Sequence, residues 1–532
     1  MGRLSCEKRE KFIRFCVLMV ALFVLLFMSY LFPCSLFRTT GMSTGAGKGE
    51  IVSFNYDNFF LNLITLAVSC GLVYLVYKLG SGISLRKCLV ILSLWVLGFG
   101  LLFVASAKLQ PTEDSYIVTF FARQAARGDY SYYHEYFEFF PFQFGYVLYA
   151  ELFFRLFNIL MPGVPSGFAS LALQGMNVFF VLLAYISIVQ CVGIIFGSET
   201  MQKLTAVLLA VCLPPLFMTT FMYGNVPALG FACAASWMFL AFVRDGCPVC
   251  GILCAFFLAV SVLLKLNSMI FFVAIVILWL LTLIKKPTLI SAVLLILTVI
   301  CVLTVKAMPQ NYYEARCDHD FGSGIPLTGW LAMGLHEGQS CSGWYDTEFT
   351  TNAFTHAEKD PKLASRTALE GISSRLEVFV DEPVEALRFF GRKFLSQWNE
   401  PTYQSIWNNN VRTHYSEPGL IYRFLCQRAE RAVVTAMKLY QQMIFFGFTL
   451  GLVGLLFRRD ISATLFPLVI LGGMLYHLLF EGKSQFVMGY FVLMVPIAAY
   501  GYRLVFTRLQ LLDEHNKAQN AKKAGKAHRD NI

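Results

Sequence analysis

The chain has 532 residues, of which 57% are hydrophobic and only 14% charged, with a formal net charge of +10. An average soluble domain carries roughly 25% charged residues. The figures therefore exclude a disordered chain and a purely soluble multidomain enzyme, and fit a chain with much of its length in lipid.

A bilayer core takes about 20 consecutive apolar residues per helix. Backbone groups there must bond internally, so apolar runs of that length read as helices. In chain order the candidates are Phe15–Phe32, Phe59–Tyr77, Leu89–Ala107, Ala169–Phe196, Leu204–Tyr223, Val226–Val243, Gly251–Leu264, Met269–Ile284, Leu289–Val305, Gln442–Phe457, Ser462–Phe480 and Phe486–Phe506. Gly251–Leu264 and Met269–Ile284 are each short and could together form one long span. The first run is long and lacks a clean small-residue cleavage site, so it reads as a retained anchor. The expected fold class is an all-α polytopic membrane protein with about twelve transmembrane helices.

Basic residues in short loops set the orientation. Arg3, Lys8, Arg9, Lys11 and Arg14 argue for a cytoplasmic N-terminus. Alternation then places Lys78, Arg86, Lys87, Lys203, Arg244, Lys285, Lys286, Arg458 and Arg459 inside as well. The net charge belongs to these flanks, which makes nucleic acid a poor partner. The segments are 1–107 (N-terminal spans), 108–168 (first outer loop), 169–305 (transmembrane core), 306–441 (a large, mainly helical extracytoplasmic region), 442–506 (C-terminal spans) and 507–532 (a basic cytoplasmic tail). Pro141–Leu160 is apolar enough to be mistaken for a span. Counting it would put Lys285-Lys286 outside, so it reads as a helix along the outer membrane surface. Most of the 15 cysteines lie in apolar spans, where Cys behaves as a small hydrophobe. Cys247-Pro-Val-Cys250 has redox or metal spacing but no second pair or His partner. Cys317 and Cys341 are able to pair if their compartment is oxidising. There is no internal repeat, phosphate loop or HExxH.

Acids at a membrane face are costly unless they serve something. Glu113-Asp114 follows the third span at the outer surface, although such a pair also suits a helix N-terminus. The aromatic-rich segment Tyr130–Gly145, which includes Gln143, comes next. On the same face fall Tyr223-Gly-Asn225, Lys265-Leu-Asn267 and Glu481-Gly-Lys483-Ser-Gln485. The second outer region adds His336-Glu337 and Gly343-Trp344-Tyr345. Aromatic faces among amides and acids suit a sugar ring, while near a bilayer Trp and Tyr also serve as anchors.

These stretches resemble the GT-C membrane glycosyltransferases, in particular the bacterial protein-mannosyltransferase-like, family-39-like branch. Glu113-Asp114 resembles the family's acidic motif in the first outer loop. Pro141-Phe-Gln143 with Gly145 resembles the segment after it. Pro215 through Tyr223-Gly-Asn225-Val-Pro227 resembles its second polar position, and Lys265-Leu-Asn267 its Lys-containing turn. Trp330-Leu-Ala-Met-Gly334 and Gly343-Trp-Tyr345 resemble a stretch of Gram-positive members. The likeness runs along about 400 residues, and it implies a GT-C-like helical bundle whose module begins within the first 107 residues. One departure is Asn225, where the family often has Asp, so a divalent metal becomes doubtful and no metal ligands are assigned; no other cofactor is implied.

The resemblance implies transfer of a sugar, with inversion, from a polyprenyl-phosphate donor lying in membrane lipid to an extracytoplasmic glycan, glycolipid or protein. A carboxylate must act as general base, with Asp114 in that role and Glu113 as alternative or assistant. Lys265 and Lys483 are expected to hold the leaving phosphate. Tyr223, Asn225, Asn267, Gln143, His336, Glu337, Trp344, Glu481 and Gln485 are expected to bind the sugar or acceptor. The competing readings are a transporter or flippase for a lipid-linked or polyol substrate, and a scaffold with a decayed site.

Overall fold

The computed structural model describes residues 2–43, 49–458 and 460–529. Arg459, together with the side chains of Arg3 and of 512–532 in the basic tail, lies outside the described residues. The chain begins with α1 (Gly2–Phe37), a hairpin of β1 (Arg38–Met42) and β2 (Val52–Tyr56), α2 (Phe59–Leu79), α3 (Leu85–Ala107), α4 (Glu113–Ala125), α5 (Tyr136–Phe139) and α6 (Phe144–Leu160). It continues with α7 (Ser166–Phe196), α8 (Glu199–Ala210), α9 (Pro214–Phe217), α10 (Asn225–Asp245), α11 (Pro248–Leu264), α12 (Met269–Lys285) and α13 (Leu289–Cys317). The stretch between α13 and α20 holds α14 (Leu327–Leu335), α15 (Thr351–His356), α16 (Pro361–Asp381), α17 (Pro383–Trp398), α18 (Ser405–Val411) and α19 (Leu420–Arg423). The last helices are α20 (Glu430–Arg458), α21 (Leu465–Leu479) and α22 (Ser484–Arg529).

This is the helical polytopic architecture expected from the sequence, with one two-stranded hairpin added. Eleven of the twelve apolar runs fall on helix, whereas the run Leu204–Tyr223 is broken between α8 and α9. Ten helices among the described residues are long and apolar enough to cross a membrane, and α8 with α9 would make an eleventh, bent by 47°. The bend has a local cause: Pro214-Pro215 cannot continue the ladder of α8. The carbonyls freed there are taken by side chains. Trp95 Nε1 donates to Ala210 O at 2.8 Å, Tyr185 Oη to Cys212 O at 2.8 Å and Tyr440 Oη to Leu208 O at 2.9 Å. α11 and α12 are separate helices joined by the turn Lys265–Ser268, and α11, at 17 residues, falls short of the membrane-crossing candidates.

α10 packs on both α7 and α11, α11 on α13, and α20 on α22 and α1. Val24, Met28 and Leu31 of α1 are fully buried, so this helix is part of the core. Basic loops gather at one end. Lys203 Nζ donates to the carbonyls of Gly80 (3.1 Å) and Ile83 (2.9 Å), and Arg458 donates to Ile195 O. At the other end the stretch between α13 and α20 closes over the helices. The β hairpin docks there through Thr40, whose Oγ1 donates to Leu395 O at 2.9 Å. α6 is not among the membrane-crossing candidates. It buries Val147, Ala150, Phe154 and Phe157 against its neighbours and leaves Leu152, Leu156 and Ile159 exposed. Its buried Glu151 accepts from Tyr313 Oη at 2.5 Å and from Arg155 Nε at 2.8 Å. Cys317 and Cys341 are free thiols, as are Cys247 and Cys250.

Candidate active site

α4 starts only a few residues after α3. Thr112 opens it, with its N–H donating to Ser115 Oγ at 3.2 Å and Ser115 Oγ returning a bond to Thr112 O at 2.7 Å. Between them Glu113 stands at φ +49°, in the left-handed region. For a residue with a Cβ this costs about 1–2 kcal/mol, and such strain clusters at working sites. Asp114, the next residue, opens onto a cavity while protein encloses it on the other sides. Burial raises its carboxyl above the ordinary value; Lys483, Lys265 and a hydrogen bond from Tyr136 pull it back down. Burial raises Glu113 too, reinforced by Asp114 and Glu50. Tyr136 Oη lies 3.3 Å from Tyr223 Oη, which accepts from Gln143 Nε2. A chain of hydroxyls and an amide thus ends on the Asp114 carboxylate.

Lys265 ends α11, and main-chain contact places it. A Cβ on Gly145 would stand 1.8 Å from Leu263 O, and one on Gly224 2.0 Å from Leu264 O. Only glycine lets α6 and the start of α10 press so closely on the last turn of α11. The ammonium stands 4.5 Å from the Tyr223 ring centre and 5.0 Å from that of Phe486, a cation–π cage. Among the described residues it makes no hydrogen bond or ion pair. Burial lowers it to about 8, with Glu481 and Asp114 pulling upward.

The turn between α21 and α22 supplies Glu481, Lys483 and Gln485. It is clamped from outside: Lys393, fully buried, donates to Gly334 O at 2.5 Å and Phe480 O at 2.6 Å, and Gly482 N donates to Gly343 O at 2.8 Å. Lys483 Nζ pairs with Glu50 Oε1 at 2.9 Å. Burial opposes the Lys483 charge, yet Glu50 and Glu481 outweigh it and the group is raised. Glu481 is pushed up to about 7 by burial, against the pull of Lys483 and Lys265. Glu50 is steadied by Gln404 Nε2 at 3.1 Å. Gln404 is itself held by buried Glu400, which accepts from Gln404 N (2.6 Å), Thr402 N (2.9 Å) and Ser484 Oγ (3.1 Å).

All these groups except the supports behind them border one cavity of about 1390 Å³. Of the residues expected from the sequence it brings together Asp114, Glu113, Lys265, Lys483, Tyr223, Asn267, Gln143, Glu481 and Gln485. Tyr116, Phe140, Phe142, Trp330, Tyr345 and Trp407 add aromatic wall, and Lys306 a further cation. Four expected residues stand elsewhere. Asn225 lies behind Gly224 with both side-chain polar atoms buried and unpartnered. His336 stacks on Phe349 at 4.2 Å and bonds to Ala332 O at 2.6 Å. Glu337 accepts from Ser342 Oγ at 2.9 and 3.0 Å, and Trp344 is buried with Nε1 donating to Ser396 Oγ at 2.8 Å. Packing spends His336, Glu337 and Trp344 on the scaffold. The sequence reading missed Glu50, Tyr136 as a partner of Asp114, Gln404 and Lys393. Lys393 and Gln404 left a trace, as members of the aromatic, amide- and acid-bearing stretch Lys393–Trp407. Among the described residues no three His, Cys, Asp or Glu side chains converge as metal ligands.

No protein-family model matches the sequence, and no curated protein does. Among solved structures, the apo form of an oligosaccharyltransferase from Archaeoglobus fulgidus is similar with a TM-score of 0.44 and 13% identity. The match covers 82% of this chain and 52% of that one, so the chain spans about half the length of that enzyme.

Proposed function

We propose that the protein is a GT-C-type membrane glycosyltransferase moving a sugar from a polyprenyl-phosphate donor to an acceptor at the extracytoplasmic face. The observation that carries this reading is the meeting of Asp114, Lys265 and Lys483 in one aromatic-walled cavity, at the end of the bundle away from the basic loops. The order of the sequence motifs that resemble the GT-C enzymes supports it. In this reading both termini are cytoplasmic and the acceptor is a glycan, glycolipid or protein of the cell envelope.

The acceptor oxygen attacks the anomeric carbon from the face opposite the phosphate. Its proton passes to the Asp114 carboxylate, the bond from that carbon to the phosphate oxygen breaks, and the configuration inverts. Tyr136 hydrogen-bonds the base and fixes its direction. The departing lipid phosphate gains negative charge, so a cation aimed at it stabilises the transition state more than the ground state. Lys265 supplies that charge, and an approaching phosphate strengthens its hold on its proton. Glu113, Glu481, Asn267 and Gln485 face the sugar hydroxyls. The carbonyls at the break between α8 and α9 are taken by Trp95, Tyr185 and Tyr440, and the break does not border the cavity. This favours a transferase over a transporter, where unwound backbone lines the pathway.

The test is Asp114→Asn in purified protein reconstituted with a polyprenyl-phosphate sugar. Transfer is expected to fall by about 10²–10⁴-fold, the worth of a general base, with insertion and melting unchanged. Undiminished transfer defeats the assignment of the base. Lipid-linked sugar crossing the bilayer with no new glycosidic bond, in the parent protein as well, makes it a flippase. A membrane-impermeant thiol reagent is expected to label Tyr132→Cys, at a position 53% exposed, from outside intact cells. Labelling only after permeabilisation would place the cavity in the cytosol and break the reading.

A further inference from the structure

α17 has two faces of different character. At helical spacing, Val384, Leu387, Gly391 and Phe394 form one stripe. The C-terminal half of that stripe is covered by α1. The Phe394 ring lies 5.5 Å from Phe27 and 6.3 Å from Tyr30, and a Cβ on Gly391 would stand 3.0 Å from Tyr30 Oη. The N-terminal half has no protein over it: Val384 is 71% and Leu387 76% exposed, and Val380 at the end of α16 is also 76% exposed. The opposite face of α17 is the one that builds the outer region, through Phe389, which packs in a cluster with Leu335, Ile372 and Phe379, and through the Lys393 clamp. The bare stripe is therefore a second, separate apolar surface.

It is continuous with surface already assigned to lipid. Tyr30 and Leu26 of α1 are 44% and 65% exposed on the outward side of a membrane-crossing helix, and the α17 stripe runs on from Tyr30. Cations flank it. Arg388 is 67% exposed and only 3.7 Å from Glu385, and Arg392 lies over the Phe54 ring at 5.9 Å. Long basic side chains beside an apolar stripe at the bilayer edge reach for phosphates. The acids Asp381 and Glu382 sit in the turn between α16 and α17, where a polar headgroup layer accommodates them.

We infer that the N-terminal half of α17 and the end of α16 are seated on the bilayer itself, with Val380, Val384 and Leu387 in the headgroup–acyl boundary and Arg388 toward lipid phosphates. Because Lys393 projects from the other face of α17, this seat fixes the height of the Glu481–Lys483 turn above the membrane.

The experiment is Leu387→Trp in the full chain, reconstituted in phosphatidylglycerol vesicles with phosphatidylcholine brominated near the headgroup or at mid-chain. The emission added to that of the parent is expected to be quenched most by the shallow bromines and spared by aqueous iodide. Quenching by iodide without bromolipid quenching, as for a stripe in water, overturns the inference. Shielding from both quenchers, as under a second copy or another protein, overturns it too. Val384→Trp reads the same surface independently, and an unchanged melting temperature in detergent shows that each variant folds.

Discussion

Two lysines, the buried Lys393 and the half-buried Lys265, stand within reach of the same turn and are used in opposite ways. Lys393 spends its charge on two main-chain carbonyls, Gly334 and Phe480. Lys203, at the basic end of the bundle, does the same with Gly80 and Ile83 in a more open setting. Lys265 has only the rings of Tyr223 and Phe486 beside it. A cation satisfied by fixed carbonyls is scaffold. One caged by aromatic faces, with acids nearby and no bonded partner, keeps its attraction for an anion that arrives.

The widest breach of that contrast is at Lys265 itself. Lys265→Met is expected to lower transfer by about 10²–10³-fold, the cost of losing one transition-state charge donor, with little change in melting because no hydrogen bond is lost. A fall in melting with transfer intact would make Lys265 scaffold like Lys393. Its lowered value sets a sign for pH: the working form is the protonated one, so kcat/KM should fall as pH rises through about 8. In Lys265→Arg, whose guanidinium keeps its charge, the alkaline limb should move up.

A smaller effect is expected at Lys483, which already holds Glu50. Glu50→Gln removes the competing carboxylate, so the KM for the lipid donor should drop several-fold with kcat little changed. A rise in KM would mean that Glu50 orders Lys483 for the phosphate. The smallest is Lys203→Met, within about 0.5–1 kcal/mol in stability and without effect on transfer.

The spans were legible because lipid imposes length and hydropathy on every residue of a helix. The two polar turns, Lys265–Asn267 and Glu481–Gln485, were legible as interruptions between apolar runs. Asp114 showed itself as an acid just after a span. Glu50 did not, because its place depends on Gln404, 354 positions away, and on a loop held by Glu400. Trp344 and His336 misled for the complementary reason. A Trp-Tyr pair in sequence says that an aromatic is needed, and only the packing of Ser396 and Phe349 decides that Trp344 and His336 turn inward. Asn225 follows the same pattern, one residue behind the glycine that touches α11.

The two glycines against the end of α11 carry a consequence for how the site fails. No bond of its own locates the Lys265 ammonium; its position is inherited from the backbones of α6 and the start of α10, each pressed against the last turn of α11. Misalignment therefore requires α6, α10 and α11 to part together, a cooperative event with a threshold. Warming should leave turnover intact until the bundle loosens as a whole, and then abolish it abruptly.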